Sequence, residues 1–533
     1  MEELLHRSEH LCSSFFISYK IASYEINSIK SKPKDVILFM RASGILLPIA
    51  SLPSKYGIGA FSKSAYEFID CLKKAGQKYW QILPLGPTGY GDSPYQSYST
   101  FSGNPYFIDP DALVMDGLLT TRECEEYDFG SNPRYIDYEK IYQSRFKMLK
   151  IAYKRSNIRQ NTEYQKFCNR NSFWLDDYSL YMAVKNHFGG QSFQEWPTEI
   201  KLRKKNAVNQ YKEKLYDEVE FYSYIQFLFQ KQWKKVKNYA NENGIKIIGD
   251  IPIYVAFDSA DTWSHPELFQ LDESLNPTAV AGCPPDGFSE NGQLWGNPLY
   301  QWEYHRSTEY KWWISRIEYS LQIYDVLRID HFKGLDEYYS IPYGEDSAVN
   351  GQWKRGPGYQ FFQKINNKLG KINIIAEDLG YITKSVKRLL KKTGYPGMKV
   401  LEFAFDSRED NDYLPHNYDK NCIVYTGTHD NDTVRGWFDR LNSEDRNLVM
   451  KYINKAPMDT EDINWDFIRL AMQSVAELCI IPIQDYLGLN SEARINIPST
   501  VGNNWRWRLL EGEIEDKLLQ KIKDITKLYG RLV

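Results

Sequence analysis

The segment DVLRIDHFKG, residues 325–334, places an arginine and an aspartate two positions apart at the end of an apolar run. Residues i and i+2 of a strand point the same way, so Arg328 and Asp330 share one side at the strand's carboxyl end. An adjacent guanidinium favours the ionised carboxylate, which is the state a nucleophile needs. On its own, the pair reads equally well as an ion pair closing a strand end. Three further runs deliver acids in the same way: IIAEDLG (374–380) carries Glu377, YTGTHDND (425–432) carries His429 and Asp430, and GDIPIYV (249–255) carries Asp250. Glu377, against an apolar wall and another carboxylate, is expected to hold a proton near neutrality, with Asp378 turned away or capping the next turn. One ionised carboxylate, one that can be protonated and a third to hold substrate are what retaining glycoside cleavage requires. Glu377 would protonate the departing oxygen while Asp330 attacks the anomeric carbon. A carboxylate-bound Mg²⁺ or Ca²⁺ is the competing reading, and Arg328 counts against it because its charge would repel the cation. We therefore expect neither a metal nor a cofactor.

Such acids need a frame that brings four strand ends to one face. Eight apolar runs supply it: GILLPIA (44–50), KYWQILPLG (78–86), IKIIGDIPIYV (245–255), YDVLRIDHF (324–332), INIIAEDLG (372–380), MKVLEFAF (398–405), NCIVYTGTHD (421–430) and LCIIPIQDYLG (478–488). They are continuous rather than alternating, as parallel strands covered on both faces are. Helical patterns separate most of them. Residues 64–76 put Tyr66, Ile69 and Leu72 on one face and end at a glycine, as do 220–244 and 383–394. Eight βα units in order imply an α/β fold, a (β/α)8 TIM barrel. A doubly wound open sheet is the alternative, weakened because no GxGxxG or Walker loop follows the first strand. Two connections are too long to be simple loops. A mostly helical insertion over 90–214 follows the second strand, and a Pro-, Gly-, Asn- and Trp-rich active-site loop subdomain over 256–311 follows the third. Both are expected over the carboxyl face of the barrel, where such folds build substrate sites. Residues 1–42 show no clear pattern and read as an N-terminal extension of a catalytic barrel spanning 43–533.

Composition narrows the partners. The chain has 533 residues and a net charge of −3, so no basic field holds nucleic acid or an anionic membrane surface. No apolar run approaches the roughly 18 residues needed to span a bilayer. Glu2, Glu3 and Lys20 make a poor signal peptide. The cysteines are scattered and form no CxxC pair, which indicates neither a disulfide framework nor a zinc site, and suggests the reducing cytoplasm. Aromatic residues reach 15%, with 40 Tyr and 14 Trp. They read as core packing, or in part as stacking platforms for sugars or bases.

Over residues 44 to 508 the chain resembles the amylomaltases, the 4-α-glucanotransferases (disproportionating enzymes) of the α-amylase superfamily. The likeness is dense in SLPSKYGIGAF (51–61), YWQILPLGPTGYGDSPYQSYSTFSGNPYFIDP (79–110), GDIPIYVAFDSADTW (249–263) and GCPPDGFSENGQLWGNPLYQW (282–302). It continues through LRIDHFKG, IIAEDLG, YTGTHDND and RINIPSTVGNNWRWR (494–508). The resemblance implies a retaining transferase acting on α-1,4-glucans and maltooligosaccharides, with Asp330 as nucleophile, Glu377 as acid/base and Asp430 as transition-state stabiliser. It places Arg328, Asp250, His331 and His429 around the cleaved bond, Tyr95 under the donor sugar, and Tyr90 on a second glucan-binding surface. In the active-site loop, Asp286, Gln293, Trp295 and Asn297 would guide the glucan chain, although Trp295 could simply pack and Asn297-Pro298 could simply start a turn. Two residues depart from the pattern. Gly287 stands where relatives often carry tyrosine, which could loosen acceptor contacts, and Ser499 stands where they usually carry glycine, so that turn could differ. An aromatic lid that excludes water would favour transfer over hydrolysis. A retaining α-1,4-glucan hydrolase and an inert glycan-binding barrel are the other readings, and the oligomeric state is left open.

Overall fold

The computed structural model describes residues 41–533 except Tyr90, 286–289, Tyr381, 409–410 and Val533, so nearly all of the expected N-terminal extension lies outside it. The apolar runs become strands only where a neighbour on each side can pair with them. The eight are β1 (Ala42–Leu46), β2 (Tyr79–Gln81), β3 (Lys246–Ile251), β4 (Val326–Ile329), β5 (Ile374–Ala376), β6 (Gly397–Val400), β7 (Cys422–Tyr425) and β8 (Leu478–Pro482). Each is shorter than its run, and for β3, β6 and β8 the reason is local. Pro252 follows β3 and Pro482 ends β8, and neither ring nitrogen can donate to a ladder. Beyond β8 the run turns into the helix Ile483–Leu487, and beyond β6 into the 3₁₀ turn Leu401–Phe403.

All eight strands are parallel and lie side by side in the order β6-β7-β8-β1-β2-β3-β4-β5. The Ala376 amide donates to the Pro396 carbonyl at 3.0 Å, joining the last strand to the first. The expected (β/α)8 barrel is therefore the observed one. Alternate side chains, among them Leu46, Ile248, Val326, Ile375, Val400 and Ile480, fill its interior as a core of their own. Burial of each such side chain contributes about 1.5–3 kcal/mol. A larger core lies between the strands and the surrounding helices.

Gly249 on β3 shows how closely these layers approach. A methyl group there would lie 2.1 Å from the ring of Tyr324. Gly249→Ala is accordingly expected to cost about 1–3 kcal/mol through overpacking, read as a lower midpoint of urea unfolding. It would also disturb the neighbouring Asp250.

The connections carry the rest. In the segment after β2, Gln226 on the helix Tyr216–Glu242 exchanges two bonds with Gly103, accepting from its amide at 2.7 Å and donating to its carbonyl at 2.8 Å. Lys185, on the helix Thr162–His187, donates to Asp258 just beyond β3 at 2.5 Å. The sequence reading did not anticipate a second sheet. Four antiparallel strands pair in the order Gln293–Pro298, Ala279–Cys283, Glu337–Pro342 and Gln352–Arg355. Two come from the loop before β4 and two from beyond it, so no local pattern links them. Among the described residues no helix is long and apolar enough to cross a membrane.

Candidate active site

Strand register sets the first pair. Asp250 on β3 lies opposite Arg328 on β4. Arg328 Nη1 donates to both Asp250 oxygens, at 2.8 and 2.6 Å, and to Asp330 Oδ1 at 3.0 Å. The Arg328 and Asp250 side chains are only 3% and 0% exposed, whereas Asp330 is 28% exposed. Buried charges survive only when paired and hydrogen-bonded, and here the arginine satisfies one buried acid while steadying a second at the cleft surface. Tyr95 completes the group, its hydroxyl donating to Asp250 Oδ2 at 2.8 Å.

The chain then turns sharply. His331 takes φ +48°, in the left-handed region, and its amide faces the end of β5. That amide donates to Glu377 Oε2 at 2.7 Å, and the Leu379 amide donates to Oε1 at 2.7 Å. Burial in the cleft pushes the Glu377 carboxyl up to about 7, opposed by Arg328, reinforced by the charge of Asp330 and opposed again by the two amides. The expected protonatable acid is therefore present. Burial also pushes the His331 imidazole down to about 4, so the ring is neutral. Asp378 is tied instead to β6, accepting from the Met398 amide at 2.6 Å, and burial raises it to about 6.

Beyond β7 the third acid is steadied from outside the barrel. Asp430 Oδ1 accepts from Asn496 Nδ2 at 2.6 Å, and its carbonyl accepts from Arg494 Nη2 at 2.6 Å. His429 Nε2 lies 3.4 Å from Asp430 Oδ2, and the buried His429 ring stacks on Tyr95 at 5.2 Å between centroids and 14° between planes. Arg494 and Asn496 lie in RINIPSTVGNNWRWR (494–508), which carries the resemblance but has no acid to mark it as part of the site. No residue pattern near Asp430 points to a partner more than sixty positions away. Further along this segment, Ser499 keeps φ +63°, the backbone that glycine favours, where serine pays some strain.

The remaining candidates divide. Trp295 meets His331 edge-on at 4.8 Å, and its indole N–H donates to Gln293 Oε1 at 3.0 Å. Asn297 is buried, donating to the Val255 carbonyl at 2.7 Å and accepting from Gln96 Nε2 at 3.1 Å. Tyr90, Asp286 and Gly287 lie outside the described residues. Arg328 sits between Asp250 and Asp330 and donates to both. Among the described residues no group of three or more His, Cys, Asp or Glu side chains is placed to hold a metal.

This geometry offers an ion-paired carboxylate at the cleft surface, a second carboxyl raised to about 7, and a third that is half-buried and held by Asn496. That set suits double displacement at a sugar's anomeric carbon. Residues 47–513 match the family described as 4-alpha-glucanotransferase. The chain is 51% identical over 485 residues to the 4-alpha-glucanotransferase of Clostridium butyricum, covering 91% of this chain and 99% of that one. It is 46% identical over 495 residues to that of Streptococcus pneumoniae, covering 92% and 98%. Among solved structures, amylomaltase from Streptococcus agalactiae in complex with acarbose superimposes with a TM-score of 0.89 at 42% identity, covering 92% of this chain and 99% of that one.

Proposed function

The chain belongs to the 4-alpha-glucanotransferase family and is an enzyme that transfers glucan segments, and from that premise we propose that Asp330, Glu377 and Asp430 carry the reaction on α-1,4-glucans and maltooligosaccharides. Asp330 attacks C1 of the donor sugar while Glu377 gives its proton to the departing O4, which releases the reducing-end part of the glucan. Asp430 faces the positive charge that develops on the ring. The 4-hydroxyl of an acceptor then loses its proton to the Glu377 carboxylate and attacks C1, which frees Asp330 and restores an α-1,4 bond. Two inversions retain the configuration.

The observation that carries this reading is the contrast within one rim: Asp330 bonded to Arg328 at 3.0 Å, Glu377 raised to about 7 beside it. The donor sugar is taken to lie against Tyr95, His429 and Asp250. His331, Gln293, Trp295 and Asn297 are taken as the wall on the other side, and Asp286 and Tyr90 are kept as glucan-binding residues on the resemblance alone. We read 90–214 and 256–311 as the subdomains that cover the mouth, and place the reaction in the cytoplasm, where the free cysteines stay reduced.

Maltotriose is the substrate that tests this. Glucose together with a ladder of longer maltooligosaccharides is the expected product pattern; shorter sugars alone would identify a hydrolase. Tyr95→Phe keeps the ring on His429 but removes the bond to Asp250. Its kcat/KM for maltotriose is expected to fall about tenfold, as loss of one hydrogen bond to a charged group implies.

A further inference from the structure

The antiparallel sheet ends in the strand Gln352–Arg355, exposed at all four positions. An edge strand is normally blunted by charge, and Lys354 and Arg355 do that here. Trp353 does not, and it is 41% exposed. It touches the sheet's small apolar core of Val280, Tyr339, Ile341 and Ala348 through the Tyr339 ring. Its ring is left part-exposed at the sheet's edge.

Two neighbours fix the indole. Tyr339, its register partner, meets it at 5.2 Å between centroids and 63° between planes. The Lys333 ammonium lies 4.1 Å from the ring centroid. Lys333 stands three positions beyond Asp330, inside the turn Phe332–Leu335, so no more than about 11 Å of backbone separates it from the nucleophile. An aromatic face held in place by a cation and a second ring loses little freedom when a ligand settles on it.

The cleft's two walls give this face a direction. Glu377 protonates the departing group, and its carboxylate is bonded to the His331 amide. His331 in turn meets Trp295, on the far edge of the same sheet, and Lys333, two residues beyond His331, reaches Trp353 on the near edge. The wall that continues into this sheet therefore borders the leaving group, and after it the acceptor. Tyr95, Asp250 and His429 lie together and are taken, as above, as the donor side. A glucan leaving the cleft on the acceptor side runs toward the sheet.

We propose that Trp353, held by Lys333 and Tyr339, is a stacking platform for an α-1,4-glucan acceptor a few sugar units beyond the transferred bond. The proposal rests on the assignment of Asp330 and Glu377 above. Sugars present flat C–H faces to an indole, and a platform at this distance is reached by long acceptors and missed by glucose.

The test uses the full-length enzyme with α-maltosyl fluoride as a fixed donor and acceptors from glucose to maltohexaose. Trp353→Thr suits an exposed strand position, so the variant is expected to fold. Its acceptor KM for maltohexaose, relative to glucose, is expected to rise at least fivefold with little change in kcat, and Trp353→Phe is expected to recover part of the loss. An equal loss for every acceptor length, or no loss at any, overturns the platform. Asp330→Asn is run beside them. If it still forms transfer products, the nucleophile assignment fails, while the acceptor-length ratio of the Trp353 variants still decides the platform.

Discussion

Asp330→Asn is expected to lower glucan transfer by about 10⁴-fold or more while leaving the fold intact. An amide cannot form the glycosyl ester, so the double displacement loses its first half. The substitution is nearly isosteric, and its remaining carbonyl oxygen can still accept from Arg328 Nη1, now 3.0 Å from Asp330 Oδ1. Arg328 also keeps both of its bonds to Asp250, so no buried charge is left without a partner. Maltotriose read by chromatography should show neither free glucose nor longer chains, with thermal unfolding close to that of the parent. Transfer at a tenth of the parent rate would assign the nucleophile elsewhere.

Glu377→Gln is expected to lower kcat/KM for maltotriose by about 10²–10⁴-fold, the usual contribution of a general acid. Fluoride departs without needing a proton, so the loss in the first step should be far smaller with α-maltosyl fluoride. The pH profile carries the same information without a mutation. As the proposed general acid Glu377 must be protonated to act on a glucan, and burial holds its folded-state value at about 7 against an ordinary 4.5. Below pH 7 most molecules carry the proton, and above it the proton is lost, so kcat/KM for maltotriose should fall on the alkaline side with a midpoint near pH 7. At the ordinary value only about one molecule in 300 would be protonated at pH 7. The alkaline limb should vanish when α-maltosyl fluoride replaces maltotriose. A limb unchanged by the leaving group would assign the titration to another residue.

These expectations bear on how the site is supported. Arg328 serves Asp250 more closely than Asp330, so its removal would leave a fully buried aspartate without its cation. Asp430 depends on Arg494 and Asn496, which arrive from the segment after β8. The catalytic rim is thus held from β3, β4, β5 and β7, and also by a segment that belongs to no strand.

Much of this was legible in the chain. Continuous apolar runs broken by helical patterns specify parallel strands, because the period of burial is local information carried by neighbouring residues. An acid at the end of such a run is equally local, which is why Asp250, Arg328, Asp330, Glu377 and Asp430 stand out in the sequence. What only the tertiary structure decided is non-local. The second sheet joins strands on both sides of β4, and its register pairs Tyr339 with Trp353 through turns that no alternation announces. The state of Glu377 depends on how much water the folded cleft removes, and the preference of Arg328 for Asp250 depends on the register between β3 and β4. Sequence sets which groups a strand end offers, and packing sets their partners and their charge, because both follow from distances between residues far apart along the chain.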